Sequence, residues 1–439
     1  MQSFYVNRIV YFTGLGAAAL FVLAYFLPPL FVIAVAVLLL LAIAILMDTI
    51  LLYAKRGVYA LRSVEDRFSN GDENKVQIQI ENDYPFSISC TIIDELPFQF
   101  QERNWNHQLT ILTYSKTTFT YLLKPLQRGE YAFGNINLYV SSPLRFVSRR
   151  YTIVQPQVVK VYPSYVQMRR YQILAAANRL QEVGVKRLRK LGHSLEFEQI
   201  KEYVPGDDYR TINWKATARH ANLMVNNFTD ERSQQIYCLI NKGRVMKMPF
   251  EGMTLLDYAI NATLTLSNVA LLKNDKAGLI TFAEQLDTFL PADKKPGQLN
   301  QLLEVLYKQN TAFLEPDFEQ LFSIIRNRIT HRSLLILFTN FESLESLQRE
   351  LPFLKRIAHY HLLMVVFFEN TELQQLTEAK TKTIEDIYIK TIANKYQYEK
   401  RLMVKELHMH GIIAVLTTPQ KLTVNTINKY LELKNRQSI

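Results

Sequence analysis

Forty-six consecutive residues, Ile9 to Ala54, contain one charged side chain, Asp48. The stretch divides into two apolar runs, Ile9 to Leu27 and Leu30 to Tyr53, separated by Pro28-Pro29. Each run is about 20 residues long, enough to cross a hydrocarbon core of ~30 Å as a helix. Two adjacent prolines cannot continue a helix, because each lacks an N–H and restricts the residue before it. A transmembrane helical hairpin over residues 1–62 is therefore expected, with spans at about 9–27 and 30–53. The first run is long, has no small-x-small cleavage site and leads directly into the second, which argues against a cleaved signal peptide. Arg8 precedes the first span, and Lys55, Arg56 and Arg62 follow the second, whereas the turn carries no charge. By the bias of cations toward the cytoplasm, both ends of the hairpin and everything after it should lie inside the cell. Asp48, near the end of the second span, is expected at the headgroup boundary rather than on an ion path.

Beyond the hairpin the chain is basic. Its 51 Lys and Arg against 40 Asp and Glu give +11, almost all of it carried after Ala54. With 48 % apolar and 21 % charged residues in 439, the composition is that of two or three globular domains, not of a disordered or coiled-coil chain. Only 14 residues are glycine, which counts against Gly-rich phosphate loops. No Gly-Lys-Ser/Thr, His-Glu-x-x-His, Cys-x-x-Cys or Gly-x-Ser-x-Gly motif occurs. Cys90 and Cys238, the two cysteines, sit in separate β-type runs and are expected as buried free thiols.

Short alternating runs fill residues 63–163, at Lys75–Ile80, Phe86–Ile93, Gln108–Tyr114, Thr117–Leu123, Ile136–Val140 and Val158–Val161. With turn signals between them, they predict an antiparallel β-sandwich. Residues 164–235 begin with a helical period and include Lys186-Arg187-Leu188-Arg189-Lys190. Residues 236–439 alternate apolar strands (Ile236–Ile240, Ala277–Phe282, Ser333–Thr339, Leu362–Phe368, Ile412–Leu416) with helices, which predicts a doubly wound parallel α/β domain. Two His-x-His pairs, His359/His361 and His408/His410, precede strands. Ligands of open sheets gather at the opposite, carboxyl ends, so surface or structural roles are expected for these histidines.

The segment Glu202-Tyr-Val-Pro-Gly-Asp-Asp-Tyr-Arg-Thr-Ile-Asn-Trp-Lys-Ala-Thr-Ala-Arg219 stands apart. From the residues alone, Pro205-Gly206-Asp207-Asp208 is a turn. Asp207 or Asp208 could cap the next helix or pair with Arg210, and Trp214 would anchor that helix on a core. This run, continuing into Asn222-Leu-Met-Val225, resembles the signature of the family called domain of unknown function 58. The upstream Asp94-Glu95-Leu96-Pro97 and Arg128-Gly129-Glu130-Tyr131 are similar to its membrane-bound members. The resemblance implies a bacterial protein of the inner membrane with a von Willebrand factor A-like domain, acting beside a MoxR-type AAA ATPase on other envelope proteins.

Such a domain would hold Mg²⁺ through Asp-x-Ser-x-Ser after its first strand, a Thr and a further Asp. By resemblance those positions here are Asn241, Gly243, Val245, Thr311 and Asn340. Both carboxylates have become amides, both serines are gone, and Lys242 and Arg244 stand beside the site. A hard cation needs carboxylate oxygen, so a degenerate adhesion site without metal or other cofactor is expected, with Lys242 and Arg244 as candidate partner-contact cations. The principal expectation is a non-enzymatic interaction or scaffold protein. The alternative is a surface for anionic lipid or another polyanion, since residues 169–219 carry eleven Lys or Arg against six Asp or Glu. No aromatic interleaving points to nucleic acid. A hydrolase built on Asp207 and Asp208 lacks a nucleophile or metal to accompany them.

Overall fold

The computed structural model describes residues 3–55, 57–176, 196–205, 207, 209–220, 222–229, 233–378 and 383–436. The chain divides into two units, Met1–Tyr162 and Pro163–Ile439.

The first unit opens with β1 (Phe4–Val6), α1 (Arg8–Phe26) and α2 (Leu30–Tyr53). Their mean hydropathies are 2.0 and 3.4, and only 11 % and 6 % of the apolar windows are covered by protein. Length, composition and the absence of covering chain together suggest membrane anchoring by both helices. The strands that follow are β2 (Val58–Val64), β3 (Arg67–Ser69), β4 (Asn74–Asn82), β5 (Ile88–Asp94) and β6 (His107–Ile111). They continue as β7 (Lys116–Leu123), β8 (Gly129–Phe133), β9 (Ile136–Ser141), β10 (Val147–Ile153) and β11 (Gln157–Tyr162). Three sheets result, ordered β1-β10-β9-β5-β6, β2-β4-β7 and β3-β11-β8. The alternation in β4 is realised directly: Val76, Ile78 and Ile80 are buried, and Lys75, Gln77 and Gln79 face water. The unit is not wholly antiparallel, because β3 runs parallel to β11.

The hairpin is not separable at residue 62. β1, ahead of α1, pairs with β10, and β2 pairs with β4. Both ends of the hairpin thus belong to one β unit, and a spanning hairpin must enter and leave on one side. Its exit is fastened tightly. The Asp48 carboxylate is buried and accepts the Phe146 and Val147 N–H groups at 2.9 Å each. Arg149 donates to the carbonyls of Leu52 and Lys55 at 2.6 and 2.8 Å, and Tyr84 donates to Leu52 at 2.6 Å. The Leu52 carbonyl belongs to the otherwise unpaired last turn of α2, and Lys55 follows its cap, where a cation also suits the helix dipole. Arg62, counted above as a flanking cation, is buried in the sandwich. It donates to Asp94 at 2.5 Å, and the Tyr121 hydroxyl donates to the other oxygen of Asp94 at 2.5 Å.

The second unit begins with α3 (Tyr165–Ala176), then β12 (Glu196–Glu202), α4 (Trp214–His220) and β13 (Met224–Thr229), with β12 and β13 antiparallel. Next come β14 (Gln235–Asn241), the two-residue strands β15 (Pro249–Phe250) and β16 (Met253–Thr254), and α5 (Leu255–Leu272). β17 (Lys276–Phe282), β18 (Leu286–Asp293), α6 (Gln298–Tyr307), α7 (Phe318–Arg328) and β19 (Leu334–Phe338) continue the chain. It ends with α8 (Leu344–Tyr360), β20 (Leu362–Phe368), α9 (Thr371–Glu378), α10 (Ile384–Met409), β21 (Ile413–Thr417) and α11 (Leu422–Asn435). The sheet order is β18-β17-β14-β19-β20-β21. Five strands are parallel and β18 is antiparallel to β17, so the sheet is mixed rather than parallel throughout. β18 was not foreseen because Pro291 and three charged or hydroxyl residues make it read as a loop, a composition that suits an edge strand. Both faces are covered. Ile236, Cys238 and Ile240 of β14 enter the cluster under α5 and α11, while Tyr237 and Leu239 enter the one under α7, α8 and α10. α5 is long and apolar enough to cross a membrane, but 83 % of its apolar window is buried, which makes it the core helix of this unit.

Candidate functional site

The chain leaves β14 toward β17 on one side and later returns to β19 on the other. The carboxyl ends of β14 and β19 are therefore the point where the strand order reverses, the usual place for a ligand crevice in an open α/β sheet. Asn241 ends β14, and Thr339 and Asn340 follow β19. The Asn241 amide bridges the two strand ends: its oxygen accepts the Gly243 N–H at 2.7 Å and its nitrogen donates to the Thr339 hydroxyl at 2.9 Å. A side chain at Gly243 is excluded by packing, since a Cβ there would stand 2.7 Å from Pro316 and 2.9 Å from the Leu314 carbonyl. Val245 packs against the core under α5. Thr311 donates its hydroxyl to the Lys242 carbonyl at 2.8 Å, which fixes the loop and uses the hydroxyl hydrogen.

Two lysines occupy this end of the sheet. Lys242 is 3 % exposed, and its ammonium donates to the Asn310 carbonyl at 2.8 Å and meets Asp287 at 2.9 Å. It is committed internally and unavailable as a partner-contact cation, which corrects the expectation. Burial alone would raise the Asp287 carboxyl, but Lys242 and the neighbouring threonine hydroxyls hold it below the ordinary range. Lys400, which extends from α10, donates to Asn340 Oδ1 at 2.8 Å and to the Phe341 carbonyl at 2.5 Å, with the Phe367 ring 5.7 Å away. Burial pushes its ammonium down to about 8, against the attraction of Glu342. Arg244 remains exposed on the rim, 3.6 Å from Glu315 and 3.7 Å from Glu342. Sequence reasoning missed Lys400 and Asp287. Lys400 lies sixty residues from Asn340 and carries no local motif, and Asp287 sits on the unforeseen strand. Among the described residues, no group of three or more His, Cys, Asp or Glu is placed to hold a metal ion.

The signature segment forms the turn between β12 and β13. The Lys201 ammonium, at 2.9 Å, and the Val204 N–H, at 3.1 Å, hold the Asp207 carboxyl below its ordinary range. Asp207 therefore pairs with Lys201 and not with Arg210. Arg210 lies 5.7 Å from the Tyr209 ring. Asn213 caps α4 by accepting the Ala216 N–H at 3.0 Å. Trp214, the first residue of α4, is 70 % exposed and anchors no core, contrary to expectation. Pro205, Arg210 and Arg219 are also exposed, as are Val204, Tyr209 and Leu223. Gly206, Asp208 and the Lys186–Lys190 run lie outside the described residues.

The histidines sit where strands begin. His361 is buried, and burial with nearby Arg326 and Arg332 lowers its pKa. His408 accepts the Ala414 N–H at 3.3 Å. Cys90 and Cys238 lie in different units, both free, each pushed up to about 12 by burial.

Among curated proteins, the chain is 24 % identical over 247 residues to the Uncharacterized protein YeaD of Bacillus subtilis (strain 168), a match covering 54 % of this chain. The chain spans 59 % of that relative's length. Solved structures that resemble it include the conserved hypothetical protein BatB from Bacteroides thetaiotaomicron, 13 % identical with a TM-score of 0.31, covering 47 % of this chain and 100 % of that one. Another is the CARDB domain of the PF1109 protein from Pyrococcus furiosus, 14 % identical with a TM-score of 0.18, covering 24 % and 86 %. At these TM-scores neither likeness bears on fold or function. Residues 199–401 match the model of the family described as Protein of unknown function DUF58.

Proposed function

We propose that this chain is a non-enzymatic, membrane-anchored interaction protein whose signature segment is its principal contact surface. The observation that carries the reading is the exposed set Tyr209, Arg210 and Trp214 on one turn. Trp, Tyr and Arg are the residue types that dominate binding energy at protein interfaces, and a tryptophan left in water contributes nothing to a core. The crevice at the strand ends supports the same reading. Asn241 is taken up by Gly243 and Thr339, Lys242 by Asn310 and Asp287, and Lys400 by Asn340 and Phe341, and among the described residues of the crevice no nucleophile is paired with a base. The strand order with an antiparallel edge is compatible with a von Willebrand factor A-like domain whose adhesion site is degenerate at Asn241, Gly243, Val245, Thr311 and Asn340. The partner implied by resemblance is a MoxR-type AAA ATPase at the bacterial inner membrane, with both units in the cytoplasm.

Affinity purification of the full chain from native membranes tests this. Trp214→Ala and Arg210→Ala are expected to remove the co-purifying ATPase at unchanged protein level. Retention of the same partner by both variants would remove the signature segment from the interface. An anionic bilayer surface is the second reading, favoured by Arg210, Lys215 and Arg219 lying beside the exposed Trp214.

A further inference from the structure

We infer that the hairpin binds one anionic phospholipid from the leaflet beside the β unit, with an acyl chain between α1 and α2 and the phosphate between Arg8 and Arg145. From Thr13 to Leu20 on α1 and from Val37 to Ala44 on α2, the helices leave an apolar groove of about 480 Å³, with Phe146 of the β unit at its foot. Gly16, Ala17 and Ala44 open it, because side chains of that size leave the space between the helices unfilled. Thr13 to Leu20 spans about 10 Å at ~1.5 Å per residue, and half of a hydrocarbon core of ~30 Å is about 15 Å. The groove therefore fits inside one leaflet, the one nearest the β unit. Toward the Pro28-Pro29 turn the helices meet through the edge-to-face rings of Phe21 and Phe31, 6.1 Å apart. A partner's transmembrane helix would lie along the whole hairpin, whereas a single acyl chain matches a groove that stops partway.

The charge at the foot of the groove identifies the headgroup. Arg145 adjoins Phe146, and its carbonyl accepts from Asn7 Nδ2 at 2.9 Å. The Asn7 N–H donates to the Phe146 carbonyl at 3.0 Å, so this loop lies against the start of α1, where Arg8 stands. Arg8 and Arg145 are both exposed, and neither has a carboxylate partner among the described residues. Asp48, the one carboxylate between Ile9 and Ala54, is buried against the Phe146 and Val147 N–H groups and presents no acid to a lipid ammonium. Guanidinium groups bind phosphate oxygens bidentately, and cations at a membrane surface favour anionic headgroups. A phosphate whose headgroup adds no positive charge is therefore preferred, which selects phosphatidylglycerol over phosphatidylcholine. The site belongs to the anchor and does not depend on the signature segment.

Native mass spectrometry of the full chain in detergent, titrated with dioleoyl phosphatidylglycerol or dioleoyl phosphatidylcholine, tests this. The first phosphatidylglycerol is expected to bind roughly tenfold or more tightly than phosphatidylcholine. Arg8→Gln with Arg145→Gln should abolish that preference. Gly16→Leu should weaken phosphatidylglycerol binding about fivefold by filling the groove. A side chain there meets nothing within 4 Å, so the helices need not move. Ala44→Leu fills the groove from the other helix and should do the same, and unchanged melting temperatures confirm that the variants fold. Inorganic phosphate should leave the lipid in place, because it offers nothing to the groove. Equal affinity for the two lipids, a preference that survives loss of both arginines, or binding indifferent to both groove-filling variants would each overturn the proposal. Displacement by inorganic phosphate would overturn it too, by reducing the site to one for a free ion.

Discussion

Arg62 in the β unit and Lys400 in the α/β unit are both cations drawn out of water, and their surroundings differ in kind. Arg62 faces a carboxylate, Asp94, at 2.5 Å, with further bonds to the backbone carbonyls of Gly134 and Gln155 and the Phe133 ring 4.8 Å away. Lys400 faces an amide oxygen, a backbone carbonyl and a ring. A buried charge opposite a charge becomes a fixed part of the fold, because removing either partner strands the other. A buried charge bonded to dipoles, with a carboxylate acting only from a distance as Glu342 does here, keeps a depressed pKa and stays titratable near the physiological range. The first arrangement belongs to the scaffold beside the membrane anchor, and the second to the crevice where a ligand would sit.

The largest effect expected from breaking this contrast is at Arg62. Arg62→Met leaves Asp94 buried with only the Tyr121 hydroxyl, and should cost about 3–5 kcal/mol in the unfolding transition of the β unit. Replacing both partners, as Arg62→Met with Asp94→Leu, should recover most of that, because an apolar pair needs no desolvated counter-charge. Thermal denaturation of the detergent-solubilised chain reads both. A single variant that costs under about 1 kcal/mol would mean that the pair is not what holds these strands.

Lys400 comes next, and its effect carries a sign. The folded chain releases this proton near pH 8 and the unfolded chain near 10.5. Between those values the unfolded state holds more protons, so raising the pH favours the folded state. Wild type should gain up to ~3 kcal/mol relative to Lys400→Met across that window, the free energy of the shift. The gain is complete above 10.5 and absent below 8. Parallel pH profiles for the two proteins would show that the ammonium is solvated in the folded chain.

Much of this architecture was legible in residue order. The two spans, the alternation of β4 and the strands β14, β17, β19, β20 and β21 follow from periodicity, because a face that must be buried leaves its period in the sequence. Edge β18 left no such trace, since only its pairing with β17 makes it a strand. The amides at Asn241 and Asn340 could be read as departures from a metal-binding pattern. The lysine that fills the space beside Asn340 could not, because α10 brings it there from sixty residues away. Trp214 was misplaced for another reason: tryptophan usually reports burial, and here it reports a surface.

That difference sets the smallest expected stability change against an expected loss of binding. A core tryptophan truncated to alanine costs about 3–5 kcal/mol, through lost transfer energy and the cavity left behind. Trp214 is 70 % exposed at the first turn of α4, so little buried area is lost with it. Asn213, which caps that helix through the Ala216 N–H, is untouched by the change. Trp214→Ala should therefore shift stability by no more than about 0.5 kcal/mol, the range of ordinary surface substitutions. Thermal denaturation of the variant beside Arg62→Met compares a residue the fold needs with one it merely displays. A cost of several kcal/mol would show that the indole is covered in the intact protein and return it to the core role read from its residue type.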